Sequence, residues 1–310
     1  MPIRALPRTP DTSSAHGWRV RLPVVFLILL AALAGCADSA ATNADVEVIR
    51  ARPAPSVEQL IPPAVRARGT LNAVMSIGNA PLHYPTPDGS GDMLGVDPDL
   101  AKALGDVMGL HVNVVGVTFD QIVPGLQSGR YDLAVSQMGL TPERLKVLDF
   151  VDYFNSGTGL GVRAGNPLHI TVSSMCGRGI AVSNGSIQQA SYLPKLSAAC
   201  LRDGKPPVQV HSFPDQQKGV LALVSGRIDG VFVDLPVIRY AAKNVPDIEV
   251  SDTYEANTPV AIGLAKGSPL APAVSAALTE LDRDQVYRRI LTKWAVQDNA
   301  INTFTIRTAP

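Results

Sequence analysis

The stretch Leu126-Gln127-Ser128-Gly129-Arg130-Tyr131-Asp132, running into Leu133-Ala134-Val135, decides the fold, because the chain writes it a second time. The echo is Leu223-Val224-Ser225-Gly226-Arg227-Ile228-Asp229, running into Val231-Phe232-Val233. In each copy a helical pattern reaches a Ser-Gly pair, where glycine can supply the left-handed stop, and the apolar run that follows reads as a buried strand. The shared helix-turn-strand context predicts two lobes of the same construction.

Outward from the first copy, apolar strands alternate with amphipathic helices, the pattern of α/β architecture. Leu71 to Ile77 and the β-branched His111 to Val117 read as strands. Between them Asp97-Pro98 reads as an N-cap followed by proline at the first helical position, with Leu100, Ala103, Leu104, Val107 and Met108 at helical spacing. A helix is expected from about Asp120 to Gln127. Gly157 to Val162 has glycines like a dinucleotide fingerprint, but it does not open a helix after a strand and is better read as an extended crossing between lobes. A second crossing is expected near Ala256 to Ile262. After it Ser268-Pro269 is expected to cap a helix, and a last helix carries Val286, Ile290, Leu291 and Trp294. The expected division is lobe 1 over 64–157 and 256–310, and lobe 2 over 158–255, a hinge-closing molecule with its ligand between the lobes.

The N-terminus predicts where the chain is delivered. Arg4, Arg8, Arg19 and Arg21 precede an apolar run from Leu22 to Ala34, about 13 residues, short for a bilayer span and suited to a secretory signal. The run ends in Leu33-Ala34-Gly35-Cys36, which resembles the lipobox of bacterial lipoproteins, in which the cysteine becomes the lipid-bearing N-terminus. Residues 1–36 are therefore expected to be a lipoprotein signal with its lipidation site; an ordinary signal cleaved near Ala40 is the alternative. Residues 37–63, rich in Ala, Pro and Asn without a period, read as a flexible tether. In the oxidising compartment beyond the membrane Cys176 and Cys200 are expected to form a disulfide, the alternative being two free buried thiols.

Composition narrows the function. The hydrophobic fraction of 46% and charged fraction of 17% suit a folded protein, and 310 residues allow a two-domain core. A formal net charge of zero gives no support to a nucleic-acid partner. No metal-ligand spacing of cysteines or histidines occurs, so neither a metal nor another cofactor is expected. No Gly-x-Ser-x-Gly nucleophile motif or P-loop occurs either.

Ser136-Gln137-Met138-Gly139-Leu140-Thr141-Pro142-Glu143-Arg144 carries the binding chemistry. Thr141 suits an N-cap and Pro142 the first helical position, which puts Arg144 in the first turn, where a cation opposes the helix dipole. A bound carboxylate there satisfies both the guanidinium and the free amides. A surface arginine paired with Glu143 or Asp149 is the alternative reading.

These residues resemble a known family, the extracellular solute-binding proteins of polar amino-acid ABC transporters (family 3). The resemblance runs from Gly69 to Trp294 through Gly95-Val96-Asp97-Pro98-Asp99-Leu100-Ala101, Ser136 to Arg144, Leu148-Asp149-Phe150-Val151-Asp152-Tyr153, and Gly226 to Asp229 with Asp234. It implies a two-lobed, type II periplasmic-binding-protein-like α/β fold, each lobe a mixed sheet flanked by helices, joined by two hinge strands. It also implies that Arg144 grips a ligand α-carboxylate, that Asp234 receives the α-ammonium, and that Phe119 covers the ligand side chain. The plainer readings are a helix cap for Asp234 and core packing for Phe119.

Several positions depart from the family pattern. Gly139 lacks the usual hydroxyl, and Ile187 follows Gly185 and Ser186 where Thr or Gly is common, leaving backbone amides to bind anionic oxygen. Asn79 replaces an aromatic, and Ser76 stands where binders of basic amino acids can carry an acid. With Asn79, Gln137 and His83 as polar contacts, an acidic or amide amino acid is expected over a basic one. The expected partners are that small ligand, an ABC permease and the membrane through the lipid, for a monomer outside the cytoplasm. A ligand sensor for a membrane receptor, or an enzyme resembling cyclohexadienyl dehydratases, are the rival outputs of such a fold.

Overall fold

The computed structural model describes residues 48–308, so Cys36 and the signal expected around it lie outside the described residues. In chain order the main elements are β1 (Thr70–Ser76), α1 (Val96–Met108), β2 (His111–Val117), α2 (Ile122–Gln127), β3 (Leu133–Gly139), α3 (Pro142–Val147) and the long β4 (Leu148–Arg163). Then follow β5 (Gly179–Ser183), α4 (Leu193–Arg202), β6 (Gln209–Phe213), α5 (Gln216–Val224), β7 (Gly230–Asp234), α6 (Leu235–Asn244), the long β8 (Ile248–Ala265), α7 (Ala271–Arg283) and α8 (Val286–Lys293).

The strands hydrogen-bond in the order β2-β1-β3-β8-β4-β7-β5-β6, with Ile306–Arg307 added against β4. On one side β1 is parallel to β2 and β3, and β8 runs antiparallel to β3. On the other β5 is parallel to β6 and β7, and β4 runs antiparallel to β7. Two lobes of one plan thus meet along β4 and β8, which pair with each other over most of their length.

The sequence echo folds alike in both lobes. Gly129 and Gly226 take φ of +72° and +71°, the left-handed stop that glycine adopts without a Cβ penalty. The following N–H groups of Arg130 and Arg227 return to the Gly125 and Ala222 carbonyls at 3.0 and 2.9 Å. Asp132 then exchanges bonds with Asn72 of β1: its carboxylate takes the Asn72 N–H at 2.7 Å, and its own N–H reaches the Asn72 carbonyl at 2.9 Å. Asp229 does the same to Gly179 of β5, at 2.8 Å both ways. The repeated aspartate therefore fastens the outgoing strand of each lobe to the first strand of that lobe.

Three local expectations shift. Helix α1 begins two residues early with Gly95 as its N-cap, so Asp97 is not the cap but a fully buried first-turn residue. A 3-10 turn over Phe119–Gln121 precedes α2. The helix after Ser268-Pro269 starts at Ala271, and the Ser268 hydroxyl takes the Leu270 N–H instead. The tether expected over 37–63 is corrected over its described part: Ile49, Val57 and Ile61 are buried in the first-lobe core, and Ala54 donates to the Val107 carbonyl at 2.9 Å. Apolar burial without a period holds that segment down, which no periodicity could announce. The last helix lies on the first lobe, where the Tyr287 hydroxyl donates to the Tyr153 carbonyl at 2.7 Å.

Cys176 and Cys200 form a disulfide that joins the approach to β5 to α4. Among the described residues no helix is long and apolar enough to cross a membrane.

Candidate functional site: a polar cleft between the lobes

A cleft opens between the lobes, and its lining includes all of the expected ligand contacts: Asn79, Phe119, Gln137, Gly139 and Arg144 from lobe 1, and Ser186, Ile187 and Asp234 from lobe 2. His83 is the exception among the suggested polar residues. It sits behind Asn79, fully buried, with Nε2 2.7 Å from the Asn79 amide nitrogen.

Arg144 is set by its own helix start. The Thr141 hydroxyl caps α3 by accepting the Arg144 N–H at 3.2 Å, which projects the side chain back over the end of β3. Its guanidinium donates to the Gly139 carbonyl at 2.7 Å and, across the cleft, to the Gly185 carbonyl at 2.8 Å. It also stacks on Phe119, 5.1 Å above the ring centre. Asp149, one of the partners considered for it, pairs with Lys266. Burial lowers the Arg144 pKa to about 10, with Asp234 acting in the opposite direction.

Asp234 ends β7 and occupies the N-cap position of α6, yet its side chain makes no capping bond. Its oxygens instead accept the amides of Gln188 at 2.9 Å and Gln216 at 2.6 Å, and Gln216 Oε1 accepts the Asp234 N–H at 3.0 Å. Burial raises the Asp234 pKa, and those two amide bonds oppose the rise. A cation and an anion, each disfavoured by desolvation, thus line one cleft from opposite lobes. Such a pair is complementary to a zwitterion, whose two charges replace the lost hydration.

The two departures at Gly139 and Ile187 fit each other. A Cβ built on Gly139 would lie 3.1 Å from Ile187 Cδ1, so the isoleucine fills the space that the missing side chain leaves. Ser186 turns its hydroxyl to the Gln189 N–H at 3.2 Å.

The wall also contains residues that sequence reading did not single out: Ser183, Gln188, Asp215 and Gln216. Asp215 caps α5, accepting the Lys218 N–H at 2.8 Å, and pairs with the Lys218 ammonium at 3.1 Å. An aspartate directly ahead of an apolar helical run was a readable cap signal. Gln188 and Gln216 had none, since the contacts that bring them to Asp234 cross 46 and 18 residues of chain. The left-handed backbone of Gln137, φ +49°, is a further mark of a site held under local strain.

A two-lobed α/β molecule with a charged cleft of largely buried side chains at the lobe junction is built as a solute-binding protein. The sequence profile of the bacterial extracellular solute-binding proteins, family 3, matches residues 71–297, and the chain belongs to that family. It is similar to the arginine-binding protein ArgT of Corynebacterium glutamicum, 28% identical over 259 residues, covering 83% of this chain and 84% of that one. It is also similar to the glutamine-binding protein GlnH of Bacillus subtilis, at 29% identity over 68% of this chain and 76% of the relative. Among solved structures, an ancestral arginine-binding protein bound to arginine superposes with a TM-score of 0.67 at 30% identity, covering 73% of this chain and 98% of that one. The chain accordingly stands with binding proteins and not with enzymes.

Proposed function

We propose that the chain captures a polar amino acid outside the cytoplasm and delivers it to an ABC importer by closure of its lobes. The observation that carries this reading is the placement of Arg144 and Asp234 in one cleft from opposite lobes. Arg144 takes the ligand α-carboxylate, Asp234 takes the α-ammonium, and only the closed form engages both. The ligand side chain then lies against Phe119, near Asn79 and Gln137. The only carboxylate besides Asp234 among the described lining residues, Asp215, is already neutralised by Lys218. That supports an uncharged amide side chain, glutamine or asparagine, over a basic one. Arginine is the second reading, favoured by the relatives named for binding it.

Closure requires a hinge, placed at residues 157/158 and 255/256. In support, β4 and β8 slip register there: Tyr254 pairs with Thr158 but Thr258 with Ser156, and Glu255 between them takes φ +47°. The chain is tethered to the membrane as a lipoprotein monomer through Cys36. Cys36→Ser should move it from the membrane to the soluble fraction, and continued membrane attachment would defeat the anchor.

Calorimetric titration of wild type and Arg144→Ala tests the core of the proposal. The variant should lose on the order of 2–5 kcal/mol of binding, because it strands a buried carboxylate. Unchanged affinity would remove Arg144 from the site.

A further inference from the structure

Asp97 is fully buried, lies outside the cleft lining, and holds a network that ends on two cleft residues. One carboxylate oxygen lies 2.6 Å from His83 Nδ1. The other accepts the Tyr153 hydroxyl at 2.7 Å and the Gln137 amide nitrogen at 3.3 Å. That nitrogen also donates to the Tyr153 oxygen at 2.8 Å.

A carboxylate can only accept, so His83 Nδ1 donates to Asp97. In the neutral ring Nε2 then accepts, and the nitrogen of the Asn79 amide lies 2.7 Å from both that atom and the Ser76 oxygen, which is itself 2.8 Å from Nε2. The same rule turns the Gln137 nitrogen toward Asp97. Reversing either amide would set an oxygen against a lone pair or a carboxylate. The orientations leave Asn79 Oδ1 and Gln137 Oε1 buried with no partner, on side chains that line the cleft. Asn79 is 4% exposed and Gln137 5%, so water does not serve them freely.

From this geometry we infer that Asp97 is a positioning residue for specificity. Through His83 and Tyr153 it fixes Asn79 and Gln137 as acceptors, so the cleft takes an amino acid whose side chain donates hydrogen bonds and rejects one that only accepts. The inference rests on the amino-acid reading above and sharpens it: a carboxamide or guanidinium side chain fits, and a carboxylate does not. The acidic half of the sequence-based preference is thereby dropped.

Glutamine and glutamate are isosteres that differ in whether the side chain donates and in its charge, which makes them the probe. The purified protein is titrated with glutamine, asparagine, arginine, glutamate and aspartate. The best donor ligand should bind about 100-fold or more tightly than glutamate, since an analogue that cannot satisfy buried polar groups is strongly rejected. Glutamate binding within about tenfold of the best donor, with Arg144 still required, overturns the inference and leaves the amino-acid reading standing. No binding by any of the five overturns both.

In Asp97→Asn the anchoring amide can donate as well as accept, so the preference of the best donor ligand over glutamate should shrink by about tenfold. A loss of mere structural support weakens both ligands alike and leaves that ratio unchanged, which would overturn the role given to Asp97. If Asp97→Asn does not fold, Tyr153→Phe keeps the ring, removes the shorter path from Gln137 to Asp97 and leaves only the direct 3.3 Å bond, and is read by the same ratio.

Discussion

Gly139 and Ile187 show how one residue's choice fixes another's across the cleft. With Ile187 Cδ1 only 3.1 Å from the Cβ position of Gly139, a serine there fits only if Ile187 gives way by a few tenths of an ångström. Gly139→Ser should weaken ligand binding by roughly 1–3 kcal/mol through overpacking, and adding Ile187→Thr should recover most of it. Equal affinities for wild type and Gly139→Ser in titration would show that the two side chains do not compete. At this scale the sequence was informative where local grammar applied. Arg144 could be placed because Thr141-Pro142 marks a helix start, and the family resemblance supplied the role proposed for Asp234. Asp97 was misread for the same kind of reason: Asp-Pro is a strong cap signal, but Gly95 took the cap, and the carboxylate turned inward to His83 and Tyr153. Gln188 and Gln216 matter only through tertiary contacts with Asp234, and nothing in their local sequence marks them.

At the scale of elements, the duplicated helix-turn-strand phrase was the most legible feature, because it depends on glycine conformation and short-range bonds. The aspartate closing each copy has a tertiary purpose that spacing did not disclose: it locks β3 to β1 and β7 to β5. Gly159 and Gly161 in the first crossing strand are explained by packing. A Cβ on either would come within 2.5 Å or 2.3 Å of Ile238, so α6 can lie flush on β4 only over glycine. Residues 48–63 were illegible for the opposite reason, since their burial comes from scattered Ile49, Val57 and Ile61 against α1 and its neighbours.

Across residues 48–308 the two lobes are closed on each other, and two hydrogen bonds among the described residues tie them. Arg144 reaches the Gly185 carbonyl, and the Gln217 N–H of α5 reaches the Gly78 carbonyl at 3.0 Å. Gly78 is required at the second tie: its φ is +73°, and a Cβ would sit 2.7 Å from the Asp215 carboxylate carbon. The disulfide lies away from these ties, in lobe 2, and its stabilisation of roughly 3 kcal/mol belongs to that lobe's folding and not to closure.

In the proposed function both α-groups of an amino acid are held, one by each lobe. This two-sided hold is tested most directly by titrating the wild-type protein with the twenty amino acids, then with the best binder as its C-terminal amide and as its N-acetyl derivative. One ligand among glutamine, asparagine and arginine should bind, and blocking either α-group should reduce affinity by about 100-fold or more. Tight binding of either blocked derivative, or of no amino acid at all, would contradict the account.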